Sequence, residues 1–151
     1  NAQTTNYEAY SLFVMNIAKY SSWPNTTGEL RITILGKSKI YDHLQKQAES
    51  KQFNGLSLKV SQAEHVSDAS DIHIIYVSDG KSSALQELVK NTQGKPVMII
   101  AEREGLFKKG AGFSFIITDN NTLRFDINNS ELEKRNIKIA KNLSTLANSV
   151  M

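Results

Sequence analysis

The sequence contains no cysteine and only two prolines among 151 residues. Without cysteine the chain has no disulfide scaffold, no thiol nucleophile and no cysteine-based zinc site, although this absence does not distinguish an oxidising compartment from a reducing one. Eight glycines are too few for a collagen-like repeat, and 40% hydrophobic with 22% charged residues is typical of a globular protein. The length predicts one domain, since domains commonly hold roughly 100–200 residues.

An excess of charge and long apolar runs are also missing. Eighteen lysines and arginines against fifteen acidic residues leave a net charge of +3 without a basic cluster, so no nucleic-acid partner is expected. The longest apolar runs, 74–77 and 96–101, are far shorter than the ~20 residues that cross a bilayer, so direct membrane insertion is not expected. Residues 1–6 are polar and lack the features of a signal peptide, which fits either a cytosolic protein or a mature exported one. We expect a disordered tail over 1–6 and a single domain over 7–151.

Helical and strand patterns alternate along most of the chain. Apolar residues at positions 7, 10, 13, 14, 17 and 20 predict a first helix, whose wide apolar surface would meet either the core or a partner. Apolar runs predict strands over 30–35, 56–60, 71–77 and 96–101, with the 71–77 strand central, and helices over 38–51 and 82–91. Residues 113–118 and 122–127 predict a hairpin. Ser130 and Glu133 form a capping-box pattern, and 139–150 predicts a last amphipathic helix.

This order of elements predicts an α/β fold. We expect three layers, in which a mainly parallel twisted sheet is flanked by helices and a C-terminal antiparallel hairpin lies at the sheet edge. The segment 102–112 contains three glycines and follows a predicted strand. Ligand sites of α/β folds lie at the carboxyl ends of parallel strands, so this segment is either a ligand site or a plain connection.

Motifs for nucleotides, metals and acyl transfer are incomplete. Gly36-Lys37-Ser38 and Gly80-Lys81-Ser82 resemble the end of a phosphate-binding loop, but Arg31 and Ile75 stand where its first glycine is needed. No Gly-x-Ser-x-Gly elbow occurs, and the three histidines match no zinc template. We therefore expect no cofactor, no metal and no catalytic residue.

Two carboxylates leave an enzymatic alternative open. Glu102 and Glu104 follow a predicted strand beside the glycine-containing segment. A pair of carboxylates can act as general acid and base when their environments separate their pKa values, which a sequence does not reveal. A hydrolase that uses Glu102 or Glu104 is therefore kept as an alternative to a protein without enzymatic activity.

A family resemblance rests on motifs of the C-terminal half. In order these are Lys95-Pro96-Val97-Met98-Ile99-Ile100, Gly105-Leu106-Phe107, Gly110-Ala111-Gly112-Phe113 and Leu123-Arg124-Phe125-Asp126-Ile127-Asn128, followed by a leucine-containing helix. This order resembles the YfiR-like family of bacterial periplasmic proteins. The segment from Tyr20 to Pro24 resembles the family's Trp-Pro entry, and the similarity covers about residues 7–148.

The resemblance implies a function. Such proteins are exported, non-enzymatic periplasmic regulators that act by protein-protein contact on a membrane-anchored diguanylate cyclase or sensor kinase in cyclic di-GMP signalling, and they are typically homodimers. The alternative is a small-molecule binding module of the envelope with no enzymatic activity. Family members often have cysteines near the first and central strands, where this chain has Thr33 and Asp71. Disulfide formation or redox sensing by those cysteines therefore cannot operate here.

Eight residues are candidates for binding a ligand or partner: Trp23, Glu102, Phe107, Gly110, Gly112, Arg124, Asp126 and Asn128. For several of these residues, a structural role is the alternative to binding. Arg124 and Asp126 can join the hairpin to the last helix through an ion-pair or hydrogen-bond network. Asn128 can cap the following helix, and Trp23 can be a core or subunit-contact anchor instead of a ring that stacks on a ligand.

Overall fold

The computed structural model describes residues 5–26, 28–50, 52–53 and 55–151. Most of the tail predicted over 1–6 lies outside these ranges. Within them, Asn6 is the N-cap of the first helix, because its side-chain oxygen accepts a hydrogen bond from the backbone N–H of Ala9 at 3.1 Å.

The chain forms α-helices, short 3₁₀ helices and strands in alternation. The α-helices are α1 (Tyr7–Lys19), α2 (Ile40–Ser50), α3 (Leu85–Asn91), α4 (Asn129–Lys134) and α5 (Lys141–Leu146). The strands are β1 (Ser21–Ser22), β2 (Glu29–Leu35), β3 (Gln52–Phe53), β4 (Leu56–Ala63), β5 (Ile74–Val77), β6 (Met98–Ala101), β7 (Phe113–Ile117), β8 (Leu123–Ile127), β9 (Lys138–Ile139) and β10 (Ser149–Val150). The 3₁₀ helices are Val66–Asp68, Asp79–Ala84 and Leu106–Lys109.

The main sheet has the strand order β10-β8-β7-β6-β5-β2-β4-β3. Strands β4, β2, β5, β6 and β7 are parallel, whereas β8 is antiparallel to β7 and forms the predicted hairpin with it. Strands β1 and β9 form a separate antiparallel pair. The predicted α/β fold with a mainly parallel sheet is confirmed. The chain passes from β2 to β4 on one side and then to β5 on the other, which makes the carboxyl ends of β2 and β5 a topological switch point.

The sheet is buried on both faces. Ile74 and Tyr76 of β5 belong to the hydrophobic core that includes α1 and α2, whereas Ile75 and Val77 belong to a second core with α3. Successive side chains of a strand point to opposite faces, so a strand covered on both faces must be apolar throughout. The central position predicted for this strand is confirmed by its place between β2 and β6.

Helix α1 packs most of its wide apolar surface within the chain itself. Val14 and Ile17 are fully buried in the larger core, and Phe13 stacks edge-on against Phe125 with 5.7 Å between the ring centroids. Leu12 remains 41% exposed. The interpretation of the helix as a core element therefore accounts for all but a small part of its apolar surface.

Three local predictions were wrong. The central strand begins at Ile74 and not at Asp71, whose φ of +55° is left-handed and incompatible with a strand. Asn128 caps α4 in place of the predicted Ser130 capping box. The last helix ends at Leu146, because the following residues bond to β8: the N–H of Asn148 donates to the carbonyl of Phe125 at 2.7 Å. These residues then form β10.

A buried arginine joins the C-terminal part of the chain to α3 and β6. Arg135 is 2% exposed, and its Nη1 donates to the carbonyl oxygens of Thr92 and Val97 at 3.2 and 3.1 Å. Its Nη2 donates to the carbonyl of Val89 at 3.3 Å, and its Nε bonds to Glu131 at 3.0 Å. One guanidinium thus satisfies several carbonyl groups at the end of α3 and the start of β6.

We expect Arg135→Ala to lower the free energy of unfolding by about 3–5 kcal/mol, because the substitution leaves the Glu131 carboxylate and several carbonyl groups without their partner. Urea denaturation measures this change. The matched control is Arg103→Ala, which removes an exposed ion pair with Asp79 at 2.9 Å and should have little effect. Equal effects of the two substitutions would contradict the structural role of Arg135.

Candidate functional site

Three polar side chains meet at the carboxyl edge of the sheet. Glu102 directly follows β6, Tyr76 lies in β5, and Tyr7 begins α1. The Tyr76 hydroxyl donates to Oε1 of Glu102 at 2.8 Å, and the Tyr7 hydroxyl donates to Oε2 at 3.1 Å. Tyr76 is fully buried. The Glu102 carboxylate therefore ties the first turn of α1 to the centre of the sheet.

Burial dominates the electrostatics of these three groups. It raises the pKa of Glu102, although the hydrogen bonds from Tyr76 and Tyr7 oppose the shift. Burial and the Glu102 carboxylate raise the pKa of Tyr76 well above its ordinary value, and the pKa of Tyr7 is raised for the same reasons. Both phenols stay protonated at neutral pH and serve as hydrogen-bond donors.

Trp23 lies at the amino ends of the parallel strands, whereas Glu102 lies at their carboxyl ends. Its indole Nε1 donates to the carbonyl of His73 at 3.0 Å, just before β5 begins, and the two rings meet edge-on at 6.0 Å. The Nδ1 of His73 accepts the backbone N–H of Arg31 at 2.9 Å. Burial, and then Arg31, lowers the pKa of His73, which agrees with a neutral imidazole. At 8% exposure Trp23 is placed as part of the core.

The glycine-containing segment packs against its neighbours. Phe107 is buried, its N–H donates to Oγ of Ser114 at 3.1 Å, and its carbonyl accepts Nδ2 of Asn128 at 2.8 Å. A Cβ at Gly110 would lie 2.8 Å from a methyl of Val89, and a Cβ at Gly112 would lie 2.6 Å from one of Leu132. These two glycines therefore let the segment approach α3 and α4 closely.

The Arg-Phe-Asp-Ile-Asn box holds the end of the chain. Nη2 of Arg124 donates to the carbonyl oxygens of Leu146 and Ala147 at 3.1 and 3.0 Å. Oδ1 of Asp126, which is 3% exposed, accepts hydrogen bonds from Asn148 and Ser149, both at 2.9 Å. Arg124 and Asp126 thus bond to the segment after α5 and form no ion pair with each other, a hydrogen-bond network of the kind that the sequence left open.

The eight candidate residues do not form one site. Phe107 and Asn128 are hydrogen-bonded to each other, Arg124 and Asp126 hold the C-terminal segment, and Glu102 and Trp23 lie at opposite edges of the sheet. The sequence analysis did not identify Tyr7 and Tyr76 as partners of Glu102. Their only indication in the sequence is that each is a tyrosine, with a hydroxyl that can form a hydrogen bond, within an otherwise apolar pattern. Glu104, the other carboxylate of the enzymatic alternative, is exposed.

The described residues form neither a metal cluster nor a membrane-spanning helix. Among the residues that the structure describes, no group of three or more histidine, aspartate or glutamate side chains is arranged to hold a metal ion. In the same part of the chain, no helix is both long enough and apolar enough to span a bilayer.

Comparison with known families decides the relationship. A family model described as YfiR/HmsC-like matches residues 7–148, which is most of the chain and includes the Arg-Phe-Asp-Ile-Asn box. The chain belongs to the YfiR/HmsC-like family. The family implies regulators of diguanylate cyclase pathways in the periplasm, and it comprises regulators and not enzymes.

A solved structure shares the fold of this YfiR/HmsC-like chain. It is the ABC domain in complex with L-Trp from Streptococcus pneumonia, with a TM-score of 0.58 and 14% sequence identity. The match covers 81% of this chain and 55% of that one, so the chain spans about half the length of the structure that it matches. At this identity the likeness shows the fold alone.

We expect Glu102→Gln to flatten the pH dependence of stability. The raised pKa means that the folded state holds the Glu102 proton more tightly than the unfolded chain does. The free energy of unfolding of the wild type should therefore fall, relative to that of the variant, as the pH rises above the ordinary glutamate pKa of about 4.3. Urea denaturation between pH 4 and 7 measures this, with the exposed Glu104→Gln as control. Parallel pH profiles for wild type and Glu102→Gln would contradict the assignment.

We expect Gly110→Ala to destabilise the protein more than Gly105→Ala. Both glycines have positive φ, +112° and +85°, so alanine is strained at either position by about 1–2 kcal/mol. Only at Gly110 would the new Cβ also collide with Val89, which adds about 1–3 kcal/mol of overpacking. Thermal and urea denaturation compare the two variants. Equal losses would show that the contact between this segment and α3 is not tight.

Proposed function

We propose that this chain is an exported periplasmic regulator without enzymatic activity, which forms a homodimer and acts by contact on a membrane-anchored diguanylate cyclase. The observation that carries the proposal is the family match over residues 7–148. The geometry around Glu102 supports a protein that works through its surface, because both carboxylate oxygens accept tyrosine hydroxyls and serve to anchor α1.

The sheet edge formed by β8 and β10 is the contact surface that we propose. Three large apolar side chains at or beside this edge are exposed: Leu146 at the end of α5, Val150 in β10 and Met151 after it, at 57%, 48% and 55%. Such side chains are costly to leave in water and are a common feature of protein contact surfaces. Arg124 and Asp126 position this segment through the hydrogen bonds described above. The most specific motif of the chain therefore orders the proposed contact surface.

Strand addition is the mode of contact that fits this edge. Strand β10 is the last strand in the sheet order and contributes two residues, Ser149 and Val150. An edge strand presents backbone N–H and C=O groups that can pair with an extended segment of another protein, while exposed apolar side chains supply the hydrophobic contact. The occupant that we propose is an extended segment in the periplasmic region of the cyclase.

The test is repression of cyclase activity. Membranes are prepared from a strain of the same bacterium that lacks the chain and are solubilised in mild detergent, and their conversion of GTP to cyclic di-GMP is measured with and without the purified protein. We expect added wild-type protein to lower this activity severalfold. The double variant Leu146→Lys/Val150→Lys should fail to do so, because two buried charges without partners would oppose docking.

Leu12→Lys is the matched control, since it changes an apolar side chain of similar exposure, 41%, on α1 and should still repress. Cyclase activity that the wild-type protein leaves unchanged would contradict the proposed function. Repression by the double variant equal to that by wild type would contradict the proposed surface and leave the function standing.

A further inference from the structure

A cleft opens at the carboxyl edge of the sheet, between the first turn of α1 and the β7–β8 hairpin. Its volume is about 470 Å³, within the range of roughly 300–1,000 Å³ that is usual for small-molecule sites. The lining consists of Thr5, Asn6, Ala9, Tyr10, Ile117, Asn121, Thr122 and Leu123. The residues that line the cleft include none of the eight candidate residues and none of Leu146, Val150 and Met151.

One of the residues that line the cleft, Tyr10, has a hydroxyl without a partner among the described residues. Tyr10 is 7% exposed, and its ring packs against Tyr7 and Phe115 with centroids 5.7 and 5.0 Å apart. Its hydroxyl makes no hydrogen bond to any residue that the structure describes. Burial, followed by the nearby Glu102 carboxylate, raises the pKa of Tyr10, so this hydroxyl stays protonated and can donate. A ligand in the cleft can therefore accept a hydrogen bond from the Tyr10 hydroxyl.

The rim of the cleft selects against charge. Among the residues that the structure describes, no lysine, arginine, histidine, aspartate or glutamate lines the cleft, so an ionised ligand would be desolvated without a counter-charge from this lining. The amides of Asn6 and Asn121 and the hydroxyl of Thr122 offer neutral donors and acceptors instead. Ile117 and Leu123 add apolar surface beside them.

We propose that this cleft binds an uncharged, polyhydroxylated small molecule of the neutral-sugar class, with a ligand hydroxyl bonded to Tyr10. Such a molecule carries both the hydroxyl groups that the asparagines and threonines can bond and the C–H faces that Ile117 and Leu123 can contact. The proposal does not involve Leu146, Val150 or Met151 of the proposed contact surface, and it is tested on the purified protein without a cyclase.

The test is binding of neutral disaccharides, with cellobiose, maltose and N,N′-diacetylchitobiose as probes. Amide chemical shifts of the ¹⁵N-labelled protein are followed by NMR as each probe is titrated to millimolar concentration. We expect at least one probe to shift the amides of Ala9, Thr122 and Leu123, and glucose 6-phosphate and glucosamine to bind more weakly. No shifts with any neutral probe, or tighter binding of a charged sugar, would overturn the proposal.

Two variants keep the fold and remove ligand contacts. Tyr10→Phe deletes a hydroxyl that has no partner among the described residues, and Asn121→Gly suits the left-handed φ of +59° at that position. Each should weaken binding by about three- to tenfold, the effect of losing one hydrogen bond. Tyr41→Phe on α2 is the control, since its hydroxyl bonds to Gln45 away from the cleft, and it should leave binding unchanged. Unaltered affinity in both Tyr10→Phe and Asn121→Gly would overturn the proposed site.

Discussion

Complete burial of the two central strands is the constraint from which the other features follow. All side chains of β5 and β6 are at most 1% exposed. A polar group there would have no water to bond, so the polar contacts collect at the strand ends. At the carboxyl ends of the strands, Glu102 accepts a hydrogen bond from the Tyr7 hydroxyl. At the amino ends, the carbonyl of His73 accepts a hydrogen bond from the Trp23 indole. The segment from Tyr7 to Trp23 is therefore hydrogen-bonded to the sheet at both ends of its parallel strands.

Side-chain hydrogen bonds from β8 also hold the C-terminal segment in place. Arg124 and Asp126 lie on β8 and bond to the residues that follow α5. Backbone pairing alone gives β10 only two residues, which is too short to be stable without support from side chains. The side-chain hydrogen bonds supply that support, and they leave Leu146 and Val150 exposed. Arg124 and Asp126, which are candidate binding residues in the sequence, thus hold residues 146–149 in place.

The fold could be predicted from the sequence to the extent that hydrophobic periodicity determines it. The strand at 74–77 reads as an unbroken apolar run, and the hairpin reads as two strands around a short polar turn. The end of the last helix could not be predicted, because the amphipathic pattern continues to Val150 while pairing with β8 decides the backbone. The Glu102 cluster could not be predicted either, since it joins residues 95 and 26 positions apart. Such contacts depend on tertiary packing, which periodicity does not encode.

The different environments of two neighbouring tyrosines explain how the same helix both anchors the sheet and lines the cleft. Tyr7 and Tyr10 are three residues apart in α1, so they lie on one face of the helix, and the Glu102 carboxylate contributes to a raised pKa of both. The carboxylate has two oxygens, and Tyr76 and Tyr7 each bond to one of them. The Tyr10 hydroxyl bonds to neither oxygen, and Tyr10 is one of the residues that line the cleft. Anchoring α1 through Tyr7 thus holds Tyr10 in place as an unused donor, and this is the feature that a ligand would recognise.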